Sequence, residues 1–184
     1  MSSTSSECIA ARTARTLRIG LMGRSGFSLM ELIVSIAILA ILAGTLVPVM
    51  AKKFAASRDA RRLADVKTVV DAIEGYLLDK ASLPDGDAEP NSGGYDTTLD
   101  GSFLTVLLTT GYLREPVLDP INDATHHYEY QHYPAGTAGF ATDYFVIGIE
   151  NFETSGYSNV RGYWKGTGKD WSDDFAYVTG GVSR

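Results

Sequence analysis

The structural class of this chain follows from residues 26–49, which read GFSLMELIVSIAILAILAGTLVPV with Glu31 as the only charged side chain. A helix rises ~1.5 Å per residue, so the 23 residues from Phe27 to Val49 reach roughly 34 Å, enough to cross the core of a bilayer. A secretory signal peptide is the rival interpretation, but its apolar region is usually only ~7–15 residues long. The flank after this run, MAKKF, also has no small-residue cleavage site. The sequence therefore predicts a membrane-spanning helix over 27–49.

A short basic segment precedes the apolar run. Residues 1–26 are rich in Ser, Thr, Ala and Gly and carry four arginines and one acid, a net charge of +3. This composition is typical of a leader and not of a folded element. The only cysteine of the chain, Cys8, lies within it. Removal of the leader would leave a cysteine-free protein of net charge −9, with neither a disulfide nor a thiol site.

The helix is predicted to continue over residues 50–80. Apolar residues recur there at steps of 3, 3, 4, 3 and 4, which forms one stripe on a helix, at Ala60, Leu63, Val66, Val70, Ile73 and Leu77. Charged residues, Arg62 among them, are predicted to occupy the other faces. We expect the stripe to pack on a sheet formed later in the chain, and the turn SLPDG at 82–86 to end the helix.

Residues 81–184 are predicted to form a globular acidic α+β head. The part from Leu63 onward has a net charge of −12, which argues against a nucleic-acid surface because such a surface needs clustered cations. Ser102 is predicted to cap a short helix over 103–110 that Gly111 ends. The predicted strands cover 128–133, 144–150, 160–164 and 175–179.

Four residues of the apolar run carry a family resemblance: Gly26, Phe27, Glu31 and Pro48. In type and spacing they resemble the signal of type IV prepilins and type II secretion pseudopilins. The resemblance implies that a prepilin peptidase cuts after Gly26 on the cytoplasmic side and that the new amine of Phe27 is methylated. It also implies an α+β pilin fold, in which a long N-terminal helix packs on a small antiparallel sheet.

The chemistry of these residues gives the signal a physical meaning. Glycine lets a protease approach the scissile carbonyl closely. An ionised Glu31 in an apolar run costs roughly 2–3 kcal/mol on insertion scales unless it is paired, and the amine of Phe27 created by cleavage, in the same chain or in a neighbour, is a suitable partner. Pro48, together with Gly44, provides a point where the helix could bend during assembly.

The resemblance implies a structural role rather than an enzymatic one. The subunits would form a filament by bundling their apolar helices, and the expected partners are further copies of the chain, the peptidase, an assembly ATPase, an inner-membrane platform protein and the membrane. The leader is expected in the cytoplasm and the head outside it, in an extracellular or periplasmic filament. Lysines and arginines follow the span as well as precede it, so this orientation rests on the resemblance and not on charge.

Two alternatives remain open at this point. A minor pseudopilin at the filament tip is one, although tip subunits often lack the acid that Glu31 supplies here. A membrane-tethered binding domain or enzyme that never polymerises is the other, although no catalytic constellation stands out. The sequence does not separate motility, adhesion, DNA uptake and secretion.

Calcium is the one cofactor that the sequence suggests. The acidic segment around Asp170, Ser172, Asp173 and Asp174 is a candidate calcium loop, since the resemblance to pseudopilins implies calcium binding in a late loop. A solvated acidic turn is the plainer interpretation. An earlier acidic segment, DGDAEPN at 85–91, departs from the EF-hand pattern because Pro90 stands where that pattern needs glycine. A site for a transition metal at His126, His127 or His132 is not favoured, because no carboxylate is recognised at a ligand-like spacing.

Overall fold

The computed structural model describes residues 26–87, 94–157 and 164–183. The chain divides into two compact units, residues 1–43 and residues 44–184. In chain order the elements are α1 (Leu29–Lys80), β1 (Asp96–Thr97), α2 (Thr105–Thr109), β2 (Tyr128–Tyr133), β3 (Tyr144–Ile149), β4 (Lys165–Gly166), β5 (Lys169–Asp170) and β6 (Tyr177–Val182). One long helix with a small antiparallel sheet confirms the predicted α+β pilin fold.

The described part of the first unit, residues 26–43, exposes every side chain. Among the described residues α1 is the one helix that is long and apolar enough to span a membrane, and its most apolar 18-residue window has no buried residue. A core helix of a soluble protein shares this composition but buries its apolar side chains. The length, composition and exposure of this segment therefore fit a membrane-spanning helix.

The second half of α1 buries one face, formed by Asp59, Arg62, Val66, Val69, Ala72 and Ile73. The prediction is correct at Val66 and Ile73, while Leu63, Val70 and Leu77 are half-buried at the edge of the core. It is wrong at the start of the stripe. Arg62, which was assigned to the polar faces, is fully buried, whereas Ala60 is exposed.

Four of the strands form one sheet in the order β1-β2-β3-β6, with all neighbours antiparallel. One sheet face packs on the second half of α1 and contributes Tyr128, Tyr130, Phe145, Ile147 and Ile149 to the main core. The opposite face carries a second cluster of Tyr144, Val146, Trp171, Phe175 and Val178. The sheet is therefore covered on both sides, which explains why all six residues of β3 are buried.

Several local predictions need correction. Ser102 does not cap α2, because its hydroxyl bonds the Asp100 carboxylate and the residue before the helix is Leu104, in a left-handed conformation (φ 46°). The predicted helix over 103–110 shortens to residues 105–109. The predicted strand 160–164 lies outside the described residues up to 163, and Trp164 is not in a strand. The last strand begins two residues later than predicted.

Candidate functional site

The predicted processing junction precedes the first turn of α1. Gly26 and Phe27 are exposed, Phe27 to 83%, and the helix begins at Leu29 rather than at the predicted Phe27. A Cβ added to Gly26 would meet no atom within 4 Å. Packing within the described chain therefore gives no reason for glycine at position 26.

Glu31 lies in the first turn of α1 and is exposed. Within the described residues its carboxylate has no ion pair and no hydrogen bond; its backbone oxygen accepts from the Ser35 hydroxyl at 2.7 Å. A carboxylate in the first turn also interacts favourably with the positive end of the helix dipole. The described chain thus leaves Glu31 free to bind a cation from elsewhere. Its pairing with the amine of Phe27 stays a prediction.

Pro48 lies inside α1, and the helix is assigned without interruption through Gly44 and Pro48. A Cβ at Gly44 would also meet no atom outside the backbone of its own helix within 4 Å. The missing amide hydrogen of proline removes one helical bond. The role of these two residues in bending or melting the helix during assembly stays a prediction.

A buried ionic cluster joins α1 to the head, and the sequence did not reveal it. It consists of Arg58, Asp59, Arg62, Asp119 and Glu153 and is named the Arg62 cluster here. The Arg62 guanidinium donates from Nε and Nη2 to the two Asp119 carboxylate oxygens at 2.6 and 2.9 Å. Its Nη1 donates to Asp59 Oδ1 at 2.6 Å and to Glu153 Oε1 at 2.9 Å. Arg62, Asp59 and Asp119 have no side-chain exposure at all.

Asp59 extends the cluster to the segment after β3. Its carboxylate accepts from the backbone amides of Glu153 and Thr154 at 3.0 and 2.9 Å, and from the Thr154 hydroxyl at 2.7 Å. Arg58 donates to Glu153 with Nε at 2.7 Å and also with Nη2. One turn of α1 is therefore bonded to two separate loops of the head.

Two acids of the Arg62 cluster, Asp119 and Glu153, have lowered pKa values. Burial alone would raise the pKa of Asp119, but the bonds from Arg62 and from the Ile121 and Asn122 amides outweigh it and the pKa is lowered. The hydrogen bond from Arg58, aided by Arg62, lowers the pKa of Glu153 to about 2. Removal of one side chain from the Arg62 cluster would leave a buried charge without a partner. The cluster therefore stabilises the contact between α1 and the head only while all of its members are present.

The residues predicted to bind calcium lie at the end of β5 and in the turn that follows it. Asp170 Oδ1 accepts from the Ser172 amide and hydroxyl at 3.1 and 2.5 Å, and Asp170 Oδ2 lies 3.1 Å from Lys165 Nζ. Asp174 pairs with Lys169, and Asp173 is exposed. Two of the three carboxylates thus already have a lysine partner. Calcium at this loop stays a prediction.

Carboxylates do lie beside the histidines, contrary to the expectation from spacing. His126 Nδ1 is 3.1 Å from Asp123, and His132 Nδ1 is 2.9 Å from Asp85. His127 is brought together with two acids, Glu129 and Glu150. Glu129 follows His127 at the i+2 position, where the extended chain enters β2, and this same-face spacing is present in the sequence. The proximity of Glu150 to His127 could not be read from the sequence, because it depends on the register between β2 and β3.

The comparison with protein families identifies the N-terminal region. Residues 21–47 match the family model of the prokaryotic N-terminal methylation motif, the prepilin-type signature of type IV pilins and pseudopilins. The match includes Gly26, Phe27 and Glu31 and ends one residue before Pro48. No curated protein and no solved structure matches the chain. The resemblance stated from the sequence is confirmed for this motif, which covers the apolar helix and not the head.

Proposed function

We propose that this chain is the structural subunit of a filament of the type IV pilus or type II secretion pseudopilus class. The observation that carries the proposal is the methylation motif over residues 21–47, which coincides with an exposed apolar helix that starts at Leu29, two residues after Phe27. The motif supports a pilin-like subunit in general, and the role in a particular machine is not assigned. No enzymatic activity is part of the proposal.

Processing is the first step. A prepilin peptidase cuts the bond between Gly26 and Phe27 and methylates the new amine. The exposure of both residues supports access by an enzyme, and the empty space around Gly26 supports a glycine that is needed by that enzyme and not by the fold. Cleavage removes Cys8 and the net positive leader.

Assembly is the second step. The apolar side chains of α1 are exposed, Leu29 to 76% and Ile41 to 70%, so each subunit must cover them with lipid before assembly and with neighbouring helices afterwards. Moving Glu31 into that apolar bundle without a partner would cost several kcal/mol. Pairing with the amine of Phe27 removes this cost and fixes the axial register between subunits.

The partners and location follow from this class of filament. The subunit is inserted with the leader in the cytoplasm and the head outside, and an assembly ATPase with its membrane platform protein extracts it into the filament. Glu31 favours a subunit of the filament body over a minor tip subunit. The alternative is a membrane-tethered binding domain or enzyme that never polymerises. This alternative assigns no role to Glu31, which has no partner within the described chain.

The deciding experiment is intact mass spectrometry of the chain co-expressed with a prepilin peptidase in membranes. We expect a product that starts at Phe27 and carries one added methyl group. A catalytically inactive peptidase is the first control, and the Gly26→Leu chain, which should stay uncut, is the second. An intact precursor with the active enzyme would contradict the proposal, as would a cut at a different bond.

A further inference from the structure

A cluster of one histidine and two acids lies on the sheet face that points away from α1. Tyr128 pairs with Ile149 across β2 and β3, and the Glu150 amide donates to the His127 oxygen at 3.1 Å. His127 and Glu150 are therefore cross-strand neighbours at the end of this strand pair. Glu129 lies two residues after His127, so all three side chains share one face.

The ligand atoms of these residues converge. One nitrogen or oxygen atom from each of His127, Glu129 and Glu150 lies within 4.8 Å of the others, and His127 Nε2 is 3.0 Å from Glu129 Oε1. Ligand atoms on one zinc ion lie roughly 3.3 Å apart, because zinc–nitrogen and zinc–oxygen bonds are ~2.0–2.2 Å long. The three atoms would therefore have to approach one another by up to roughly 1.5 Å to contact one ion.

The site is sheltered and short of positive charge. The side chains of His127 and Glu129 are only 8% and 13% exposed. The ring of Phe175 covers Gly148, the cross-strand partner of Glu129. Among the described residues neither Glu129 nor Glu150 pairs with a lysine or arginine. Burial, together with the charge of Glu129, raises the pKa of Glu150.

His127 is the most deeply buried member of the cluster. Its Nδ1 atom is fully buried and has no hydrogen-bond partner among the described residues. Buried polar atoms of this kind are rare in folded proteins. Nε2 is the nitrogen that faces Glu129, so Nδ1 lies on the ring edge away from that carboxylate and is not the ligand atom of the site.

We propose that His127, Glu129 and Glu150 form a binding site for a divalent transition metal ion of the zinc class. One imidazole nitrogen with two carboxylates suits zinc, manganese or cobalt, whereas calcium prefers six to eight oxygen ligands. Water would complete the coordination shell. The ion would join the start of β2 to the segment after β3 in a head whose described residues include no cysteine.

The site is separate from the assembly function proposed above. It uses no residue of α1 and none of the Arg62 cluster. It also differs from the calcium loop predicted at residues 170–174, since none of those residues is a member. A metal-free alternative exists, in which a protonated His127 is simply paired with the two acids.

The test uses the full chain without a polyhistidine tag, purified in detergent and stripped with a chelator. Zinc is titrated by calorimetry, and cobalt binding is followed by its visible absorption, which reports an ordered site with few ligands. We expect one ion per chain and a thermal midpoint that rises by several degrees with zinc, because binding to the folded state stabilises it. His127→Gln and Glu150→Gln should each weaken zinc binding at least tenfold.

Two matched controls make the result specific. His132→Gln removes a histidine of β2 that also contacts acids, and Asp170→Asn alters the predicted calcium loop; both variants should bind zinc like the wild type. Thermal unfolding without metal checks that each variant is folded. The proposal is overturned if the wild type gives no zinc signal, or if the His127 and Glu150 variants bind as tightly as the controls. The wild-type titration decides the matter even if a variant fails to fold.

Discussion

The Arg62 guanidinium and the Asp119 carboxylate form a two-pronged ion pair, with nitrogen–oxygen distances of 2.6 and 2.9 Å and no solvent exposure on either side chain. The two residues are 57 positions apart in sequence. This pair and its neighbours bond the helix to the head just beyond the exposed apolar segment. The helix and head of the second unit are therefore coupled by charge as well as by apolar packing.

Arg62→Ala is expected to destabilise the head by about 3–5 kcal/mol, because it leaves Asp59 and Asp119 as buried, unpaired carboxylates. Chemical denaturation of the full chain in detergent, followed by near-ultraviolet circular dichroism, measures this loss. Arg61→Ala is the matched control, since Arg61 is 65% exposed and should change stability by less than about 1 kcal/mol. Equal effects of the two changes would contradict the role given to Arg62.

The parts of the fold that could be predicted are those with a local period in the sequence or a strong local propensity. The apolar run, the stripe through Val66 and Ile73, and the strands predicted at 128–133 and 144–150 follow from periodicity and β-propensity. All are present, and the second of these strands ends one residue earlier, at Ile149. The processing signal was equally readable because its residues lie at fixed short spacings. The two-residue strands β1, β4 and β5 were missed, since so short a segment gives no period.

The Arg62 cluster could not be predicted because its partners are distant in sequence. Charges at 58–62 follow the predicted span and look like a solvated helix face. Only the folded chain places Asp119 and Glu153 beside them. The same holds for Glu150 next to His127, where the strand register and not the sequence separation brings the groups together.

Acidification is expected to weaken the head through Glu153. Its pKa is about 2 in the folded chain and near 4.5 ordinarily, so between these values the unfolded chain binds the proton more readily. The stability from this group is present above about pH 4.5 and is lost as the pH falls toward 2. Glu153→Gln should therefore lower stability at pH 7, and the difference from wild type should shrink below pH 4.5. A pH-independent difference in unfolding free energy would contradict this.

Acidification is expected to stabilise the head through Asp96, which is the opposite of its effect through Glu153. Asp96 is 1% exposed, and burial raises its pKa to about 6 although Oδ2 accepts from the Leu104 amide at 2.9 Å. The folded chain holds this proton more tightly, so the stability from protonated Asp96 is present below about pH 4 and is lost as the pH rises through 6. Between pH 4 and 7 the free energy of unfolding of Asp96→Asn should rise relative to that of the wild type, by up to about 3 kcal/mol.

The control for Asp96 is Asp100→Asn, which changes an exposed acid of the same segment. Unfolding free energies at several pH values give the slope for each variant. An Asp96→Asn curve parallel to that of the wild type over this range would show that the buried carboxylate does not titrate there.

Gly148 is expected to be intolerant of any side chain. A Cβ at this position would lie 2.4 Å from the Phe175 ring, which packs on the central strand. Gly148→Ala should cost about 1–3 kcal/mol, because the ring must move out of a well-packed cluster. Gly156→Ala is the control, since its nearest neighbour would be an ordinary contact at 3.7 Å. If the two variants unfold at the same denaturant concentration, the close packing of Phe175 is not important for stability.

Glu31→Ala tests the assembly role directly. Glu31 has no partner within the described chain, so its removal should leave head stability unchanged within about 0.5 kcal/mol. Filament formation should fail, because the amine of the neighbouring Phe27 would then be buried without a counter-charge. Electron microscopy of cells that express the chain with the assembly machinery, together with near-ultraviolet circular dichroism of the purified variant, measures both effects.

Glu74→Ala provides the matched control for Glu31→Ala. Glu74 is an exposed acid in the second half of the same helix, and its loss should leave assembly intact. Glu31→Gln separates charge from shape, since it keeps the size of the side chain and removes only the negative charge. Filaments at wild-type levels from both Glu31 variants would show that no charge pairing at this position is needed. An unfolded head in Glu31→Ala would instead assign the residue a role in folding that its exposed position does not suggest.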